Sequence, residues 1–130
     1  MTGPTPGRLA KSGTEHGEQQ ALFCWASIAK AWHPCLEFMF AIPNGGFRLP
    51  AEAARFKAEG VKRGVPDICL PAPRGPYAGL FIEMKRAKPR GRLSPDQKRW
   101  IEYLRSNHYC VEIAFSYDEA KDAIIKYLNL

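Results

Sequence analysis

The stretch G-L-F-I-E-M-K at residues 79–85 decides how the rest of the chain is organised. Successive side chains of a β-strand leave opposite faces of the sheet, and this stretch alternates accordingly. One face carries only apolar side chains, namely Leu80, Ile82 and Met84. The other face carries Phe81 and then, at the end of the strand, Glu83 and Lys85 side by side. The pattern predicts a strand that ends in a charged pair.

A second apolar run, V-P-D-I-C-L at residues 65–70, precedes this strand and carries Asp67 near its start. The connector at residues 71–78 contains three prolines and a glycine, which favour a turn. We therefore expect the two runs to pair as a hairpin that brings Asp67 beside Glu83. Two carboxylates and a lysine at one sheet edge form a site for a hard divalent cation and a phosphate. The plainer alternatives are a turn residue at Asp67 and a surface ion pair between Glu83 and Lys85.

The overall charge points to a polyanionic partner. The 130 residues carry 19 lysines and arginines against 13 aspartates and glutamates, a formal net charge of +6. Such a balance favours nucleic acid first and an anionic membrane surface second. No apolar run is long enough to span a membrane and no signal peptide is visible, so we expect a cytoplasmic, intracellular protein. The four cysteines form no C-x-x-C pair, which argues against a zinc site or a disulfide framework.

The chain divides into a leader and one domain. The leader at residues 1–13 is rich in glycine and proline and is expected to be disordered, and the domain covers residues 14–130. Apolar periodicity and capping residues predict helices at 14–32, 50–59, 95–106 and 117–128, and strands at 36–42, 65–70, 79–85 and 109–115. The strand–helix–strand unit should be a right-handed parallel crossover, whereas the hairpin before it is antiparallel. The expected fold class is α/β, a central mixed sheet of about four strands flanked by helices.

Hydrolysis of a phosphodiester requires an activated water, neutralisation of the charge at phosphorus and stabilisation of the leaving oxygen. Magnesium ions held by two or three carboxylates can serve all three needs. We predict that Asp67 and Glu83 are metal ligands and that Lys85 orients the water or offsets transition-state charge. Basic residues after the strand are predicted to contact DNA phosphates: Arg86, Lys88, Arg90 and Arg92. Weaker candidates of the same kind are Arg48, Lys62 and Arg63.

Several of these residues together resemble a known nuclease family. Pro66-Asp67, a spacer and Glu83-Met84-Lys85 resemble the PD-(D/E)-x-K signature. Further pieces in the same order are Asn44-Gly45-Gly46 with Arg48, then Gly60, Gly64-Val65, Phe81-Ile82, and Leu93-Ser94-x-x-Gln97 with Trp100. With these pieces the chain is similar to the VRR-NUC branch of that superfamily over roughly residues 15–128. The resemblance implies a restriction-endonuclease-like fold and an Mg²⁺- or Mn²⁺-dependent deoxyribonuclease.

The resemblance also implies roles for individual residues. In the family a glutamate of the first helix joins the metal site, and the best match here is Glu18, with Glu15 one turn earlier as the competitor. The backbone carbonyl of Met84 can ligate the metal, and Gln97 should lie near the site. Gln97 also suits a capping box with Ser94, and the two roles compete for one side chain.

The resemblance further implies a way of acting on DNA. Stand-alone domains similar to this branch tend to act as homodimers on four-way junctions, because two sites related by a two-fold axis can cut two strands symmetrically. Two alternatives stay open: a flap-cleaving or nicking nuclease, and a non-catalytic nucleic-acid-binding module that kept the fold and the basic loop. The tryptophans fit helix faces and are interpreted as core residues rather than as base-stacking platforms.

Overall fold

The computed structural model describes residues 5–10, 14–43 and 49–130. In these residues the helices are α1 Pro6–Ala10, α2 Glu15–Ala29, α3 Pro50–Ala58, α4 Pro95–Ser106 and α5 Tyr117–Leu128, with a 3-10 helix at Pro34–Phe38. The strands are β1 Phe40–Ala41, β2 Ile68–Leu70, β3 Gly79–Met84 and β4 Tyr109–Ala114. No described helix combines the length and the apolar character that a membrane-spanning segment requires.

The four strands form one mixed sheet in the order β1-β2-β3-β4. The pairs β1–β2 and β2–β3 are antiparallel, whereas β3 and β4 are parallel and are connected through α4. A parallel pair needs such a crossover, because the chain must return to the same end of the sheet. The predicted mixed sheet with flanking helices is therefore confirmed.

Strand β3 sends its side chains into two apolar clusters, one on each face of the sheet. Leu80 and Ile82 are fully buried in the larger cluster, which includes residues of α2 and α5. Phe81 packs on the other face, against a smaller cluster that contains Ile101 and Leu104 of α4. Because strand residues alternate, Glu83 shares the face of Phe81 and is covered where α4 begins.

The segment predicted as a buried strand at residues 36–42 is instead a 3-10 helix followed by the two-residue strand β1. Pro34 opens the 3-10 helix, and the buried residues Leu36 and Met39 are three positions apart, which is the 3-10 repeat. Phe38, between them, is 69% exposed. The prediction was wrong because it followed the density of apolar residues, whereas their spacing is helical.

The predicted disordered leader also needs correction, because helix α1 forms inside it at Pro6–Ala10. The hydroxyl oxygen of Thr5 accepts a hydrogen bond from Arg8 N at 3.4 Å. Thr5 followed by Pro6 is a typical helix start. The prediction missed it because it considered only the high glycine and proline content of the leader. The helix packs against α2, which stabilises a piece too short to persist alone. Residues 1–4 and 11–13 lie outside the described residues.

Helix α4 begins with the predicted capping box. Ser94 Oγ accepts a hydrogen bond from Gln97 N at 3.2 Å, and Gln97 Oε1 accepts one from Ser94 N at 2.8 Å. Pro95 occupies the first turn, where its missing N–H costs nothing. The box fixes the start of α4 at the end of β3, beside the charged pair.

Candidate active site

The β2–β3 hairpin brings Asp67 beside Glu83. Ile68 pairs with Ile82 in the antiparallel ladder, so the next residues outward, Asp67 and Glu83, face each other. Asp67 Oδ2 accepts a hydrogen bond from Met84 N at 2.7 Å, which ties this acid to the strand that carries Glu83. The pairing expected from the sequence is therefore present in the fold.

The proline-rich connector at residues 71–78 does not disturb this register, because it folds as a compact turn. Arg74 N donates to Tyr77 O at 3.1 Å, and Tyr77 N donates to Arg74 O at 2.9 Å. The hydroxyl of Tyr127, on α5, donates to Ala72 O at 2.7 Å, and its ring lies 6.1 Å from that of Tyr77. These contacts anchor the far end of the hairpin, so the carboxylates at its near end keep their register.

Glu83 is a buried acid with one oxygen left free. The residue is 2% exposed. Its Oε1 accepts a hydrogen bond from Gln97 Nε2 at 3.0 Å and lies 3.9 Å from Lys85 Nζ. Its Oε2 is buried and has no hydrogen-bond partner among the described residues. A buried polar atom without a partner is costly, so this oxygen marks a position for a proton shared with the Asp67 carboxylate or for a bound cation.

The two carboxyl groups are poorly solvated and repel each other when charged. The pKa of Glu83 is raised to about 8, first by burial and then by the negative charge of Asp67, while Lys85 opposes the shift. Burial also raises the pKa of Asp67, and the hydrogen bond from Met84 N lowers it. Near neutral pH the pair therefore retains a proton, which a bound cation would displace by making both charges favourable.

Gln97 fulfils both roles that the sequence set in competition. Its Oε1 accepts from Ser94 N in the capping box, while its Nε2 donates to Glu83. The two ends of one amide serve different partners, so neither role excludes the other. Lys85 extends along the same side, and its side chain is only 12% exposed.

The two glutamates of α2 have different hydrogen-bond partners. Glu15 Oε1 accepts a hydrogen bond from Arg86 N at 3.1 Å, just past the end of β3, and its negative charge raises the pKa of both Asp67 and Glu83. Glu18, the expected metal ligand, instead accepts a hydrogen bond from Tyr117 N and caps the first turn of α5. Its carboxylate stabilises the positive helix end, and metal ligation by Glu18 stays a prediction.

These residues fit a small cation that prefers oxygen ligands. Over residues 5–10, 14–43 and 49–130, no three side chains of His, Cys, Asp or Glu group closely enough to enclose a metal ion. Mg²⁺ does not need such a cage, because it keeps several waters and binds through one or two carboxylates. Asp67 and Glu83 provide two carboxylates, and Glu83 Oε2 provides a buried oxygen without a partner. Ligation by the Met84 carbonyl stays a prediction.

The basic residues predicted to bind DNA have different surroundings. Arg86, Lys88 and Arg92 are exposed in the loop after β3. The guanidinium of Arg90 lies 3.7 Å from the centroid of the Phe115 ring, so this side chain packs on the protein. Arg48 and the Asn44-Gly45-Gly46 piece lie outside the described residues.

The last two predicted DNA contacts, Lys62 and Arg63, line a groove against α4 that the sequence did not reveal. Trp100 also lines it and is half-buried: it packs against the smaller core cluster, as the sequence indicated, and borders the groove as well. The groove is formed by segments distant in sequence, so no local pattern could have predicted it.

Comparisons with known proteins agree with this geometry. The sequence matches the family model described as the VRR-NUC domain over residues 15–117. A solved structure described as a VRR_NUC domain protein is similar with a TM-score of 0.75 and 31% identity, covering 89% of this chain and 88% of that chain. No curated protein matches the chain. The mixed sheet with its flanking helices is a restriction-endonuclease-like α/β fold. The chain belongs to the VRR-NUC family of nuclease domains.

Proposed function

We propose that the chain is a metal-dependent endonuclease that hydrolyses phosphodiester bonds in DNA. The carboxylate of Glu83 carries the proposal: it is 2% exposed, one of its oxygens lacks a partner among the described residues, and Asp67 lies beside it. Burying two carboxylates side by side destabilises the folded state unless a proton or a cation offsets their charge. Such arrangements are typical of functional sites.

Asp67 and Glu83 would hold Mg²⁺ or Mn²⁺, with the Met84 carbonyl as a further oxygen donor. The Glu15 carboxylate would act through its charge and a metal-bound water rather than as a third direct ligand. When bound, such an ion lowers the pKa of a coordinated water and offsets the negative charge of the phosphate. The chain itself keeps the carboxylates in place. Met84 N–H holds Asp67, and the amide of Gln97 holds Glu83.

We assign to Lys85 the stabilisation of the transition state. Its ammonium lies 3.9 Å from Glu83 Oε1, and its side chain is largely shielded from solvent. A cation fixed where negative charge develops is more effective away from bulk water than in it. Gln97 is a positioning residue, because it contacts Glu83 rather than the reacting atoms.

DNA is the substrate that the charge distribution supports. The formal net charge is +6, and Arg86, Lys88 and Arg92 stand exposed directly after the strand that carries Glu83 and Lys85. Cations there would hold the phosphates that flank the cleaved bond. By resemblance to stand-alone domains of this branch, we propose branched DNA, with the four-way junction cut by a homodimer, as the preferred substrate.

A panel of DNA substrates with Mg²⁺ or Mn²⁺ tests the proposal. The wild-type protein should cut four-way junctions or flaps faster than linear duplex or single strands. Asp67→Asn, Glu83→Gln and Lys85→Met should lose cleavage, whereas Asp122→Asn, an exposed acid of α5, should retain it. The nuclease assignment is wrong if no substrate is cut, or if the two carboxylate variants cut as fast as the wild type.

Two solution measurements separate the finer alternatives. Calorimetric titration with Mg²⁺ or Mn²⁺ should show binding that Glu83→Gln abolishes, a result that a non-catalytic nucleic-acid-binding module does not require.

Light scattering should give twice the chain mass of 14.6 kDa. A mass equal to one chain during undiminished junction cleavage would reject the homodimer.

A further inference from the structure

A groove of about 760 Å³ lies between α3, the loop after it and α4. Its walls carry Lys57, Lys62, Arg63, Arg99, Trp100 and Tyr103. Asp96 contributes a single acid to the same lining. Four cations against one carboxylate give the groove a positive potential suited to a phosphate-bearing ligand. In the described part of the chain, none of these four side chains has a nitrogen within 4.0 Å of a carboxylate oxygen, so none forms an ion pair.

Two aromatic rings lie among these cations. Tyr103 is 61% exposed, although large aromatic side chains usually bury most of their surface. Its ring meets the half-buried Trp100 edge to face, with centroids 6.4 Å apart and planes at 79°. This geometry leaves ring surface of Tyr103 open to the groove. An open aromatic face between cations is the arrangement on which unpaired bases stack while their phosphates are neutralised.

The groove is rigidly connected to the catalytic site. Gly64 has a φ of +86°, and a Cβ there would lie 2.6 Å from the carbonyl carbon of Asp96. Only glycine allows the loop that carries Lys62 and Arg63 to contact the start of α4 this closely. The residue after Asp96 is Gln97, which donates to Glu83. A residue that lines the groove and the residue that holds Glu83 are therefore consecutive in the first turn of α4.

The distance along α4 relates the groove to the bond that is cut. Gln97 and Tyr103 are six residues apart, which corresponds to about 9 Å at 1.5 Å per residue. At about 3.4 Å per nucleotide, that distance is two to three nucleotides. The groove volume lies within the roughly 300–1,000 Å³ of typical small-molecule sites, which is enough for one nucleotide.

We propose that this groove binds an unpaired nucleotide of the DNA, stacked on Tyr103 and held by the cations of the loop, two to three nucleotides from the cleaved phosphodiester. The inference rests on the proposed DNA nuclease function and deepens it. A duplex cannot offer a free base face to Tyr103 without unpairing, whereas a junction, flap or gap can. The groove thereby selects interrupted DNA over continuous duplex.

Binding without cleavage tests the groove separately from catalysis. Fluorescence anisotropy with chelator in place of divalent metal measures the affinity for a labelled single strand and for a blunt duplex. Tyr103→Ala should weaken single-strand binding about tenfold and duplex binding less than twofold, because stacking contributes only to an unpaired base. Tyr103→Phe keeps the ring and should bind like the wild type. Phe38→Ala removes an aromatic side chain that is 69% exposed elsewhere and serves as the matched control.

A charge variant supplies an independent readout. Arg63→Ala should lower the salt dependence of single-strand binding by about 0.7 in slope, the loss of one phosphate contact. Lys126→Ala, an exposed cation of α5 across the sheet, should leave the slope unchanged. Circular dichroism confirms that each variant is folded.

The inference is overturned if Tyr103→Ala changes single-strand affinity by less than threefold, or weakens both substrates equally. Equal weakening would show that the groove binds the sugar-phosphate backbone of duplex DNA rather than an unpaired base. Failure of the nuclease proposal gives a different result: no DNA is cut with metal, while the strand preference of the groove persists. Asp67→Asn should likewise lose cleavage and retain the single-strand affinity of the wild type.

Discussion

The free energy of unfolding should depend on pH through the buried acid pair, and Glu83→Gln should remove that dependence. The pKa of Glu83 is raised from the ordinary 4.5 to about 8, mainly by burial and then by the charge of Asp67. A group whose pKa is raised in the folded state binds its proton more tightly there than in the unfolded chain. Its contribution to stability is therefore complete below about pH 4.5 and is lost as the pH rises towards 8.

The size of the effect follows from the shift. A difference of about 3.5 pKa units at about 1.4 kcal/mol per unit gives an upper limit on the order of 5 kcal/mol between those two pH values. The steepest slope is about 1.4 kcal/mol per pH unit, since one proton is involved. Glutamine resembles the protonated acid and still offers Gln97 an oxygen acceptor, so Glu83→Gln should be as stable as the wild type in acid and more stable at pH 8.

Urea unfolding followed by circular dichroism in metal-free buffer, from about pH 5 to about pH 8, measures this difference. Every other ionisable side chain is common to both proteins, so subtracting the two curves isolates the contribution of Glu83. Adding Mg²⁺ at the upper pH should recover stability in the wild type and not in the variant, because the ion binds the folded state through Glu83. A wild-type-minus-variant difference that stays constant across the whole range refutes this account of the site.

Two further predictions concern α2 and the loop before β2. Glu15→Gln should reduce Mg²⁺ affinity about tenfold or more in calorimetry, whereas Glu18→Ala should leave that affinity unchanged and cost about 1–2 kcal/mol of stability, because its carboxylate caps α5 through Tyr117 N. Equal losses of affinity in both variants would contradict the placement of Glu18. Gly64→Ala should cost about 1–3 kcal/mol in thermal unfolding, since φ is +86° and the methyl group meets Asp96. A variant of unchanged stability would contradict the close packing of this loop on α4.

Local patterns predicted much of the fold, because each depends on residues close in sequence. The alternation in β3 placed Leu80 and Ile82 in one core and Phe81 in the other, as observed. The Ser94 and Gln97 capping box placed the start of α4 at the correct residue. The pairing of the two apolar runs as a hairpin that brings Asp67 beside Glu83 was also predicted.

The parts that the sequence did not predict depend on packing between distant segments. Glu15 and Glu18 lie on the same helix, and only the docking of α5 and β3 against α2 decides that Glu15 bonds to Arg86 N and Glu18 to Tyr117 N. The composition of α2 is compatible with either choice. Trp100 packs against the smaller core cluster, as interpreted, but a helix face alone does not show that a loop more than thirty residues earlier leaves a groove beside it. Trp32 was also interpreted as a core residue and is instead 71% exposed.

Helix α4 links substrate selection to chemistry, because its first turn is held from three directions. Ser94 closes the capping box, Gly64 packs against Asp96, and Gln97 bonds to Glu83. Nucleotide binding beside Tyr103 would therefore contact a helix whose first turn already holds the carboxylate of Glu83. A substrate with an unpaired nucleotide in the groove would stabilise the position of α4 in which Gln97 holds Glu83, whereas continuous duplex would leave that contact unsupported. Interrupted DNA would then be bound more tightly than continuous duplex and would also be cut with a higher kcat. Neither effect requires a base-specific contact at the cleaved bond.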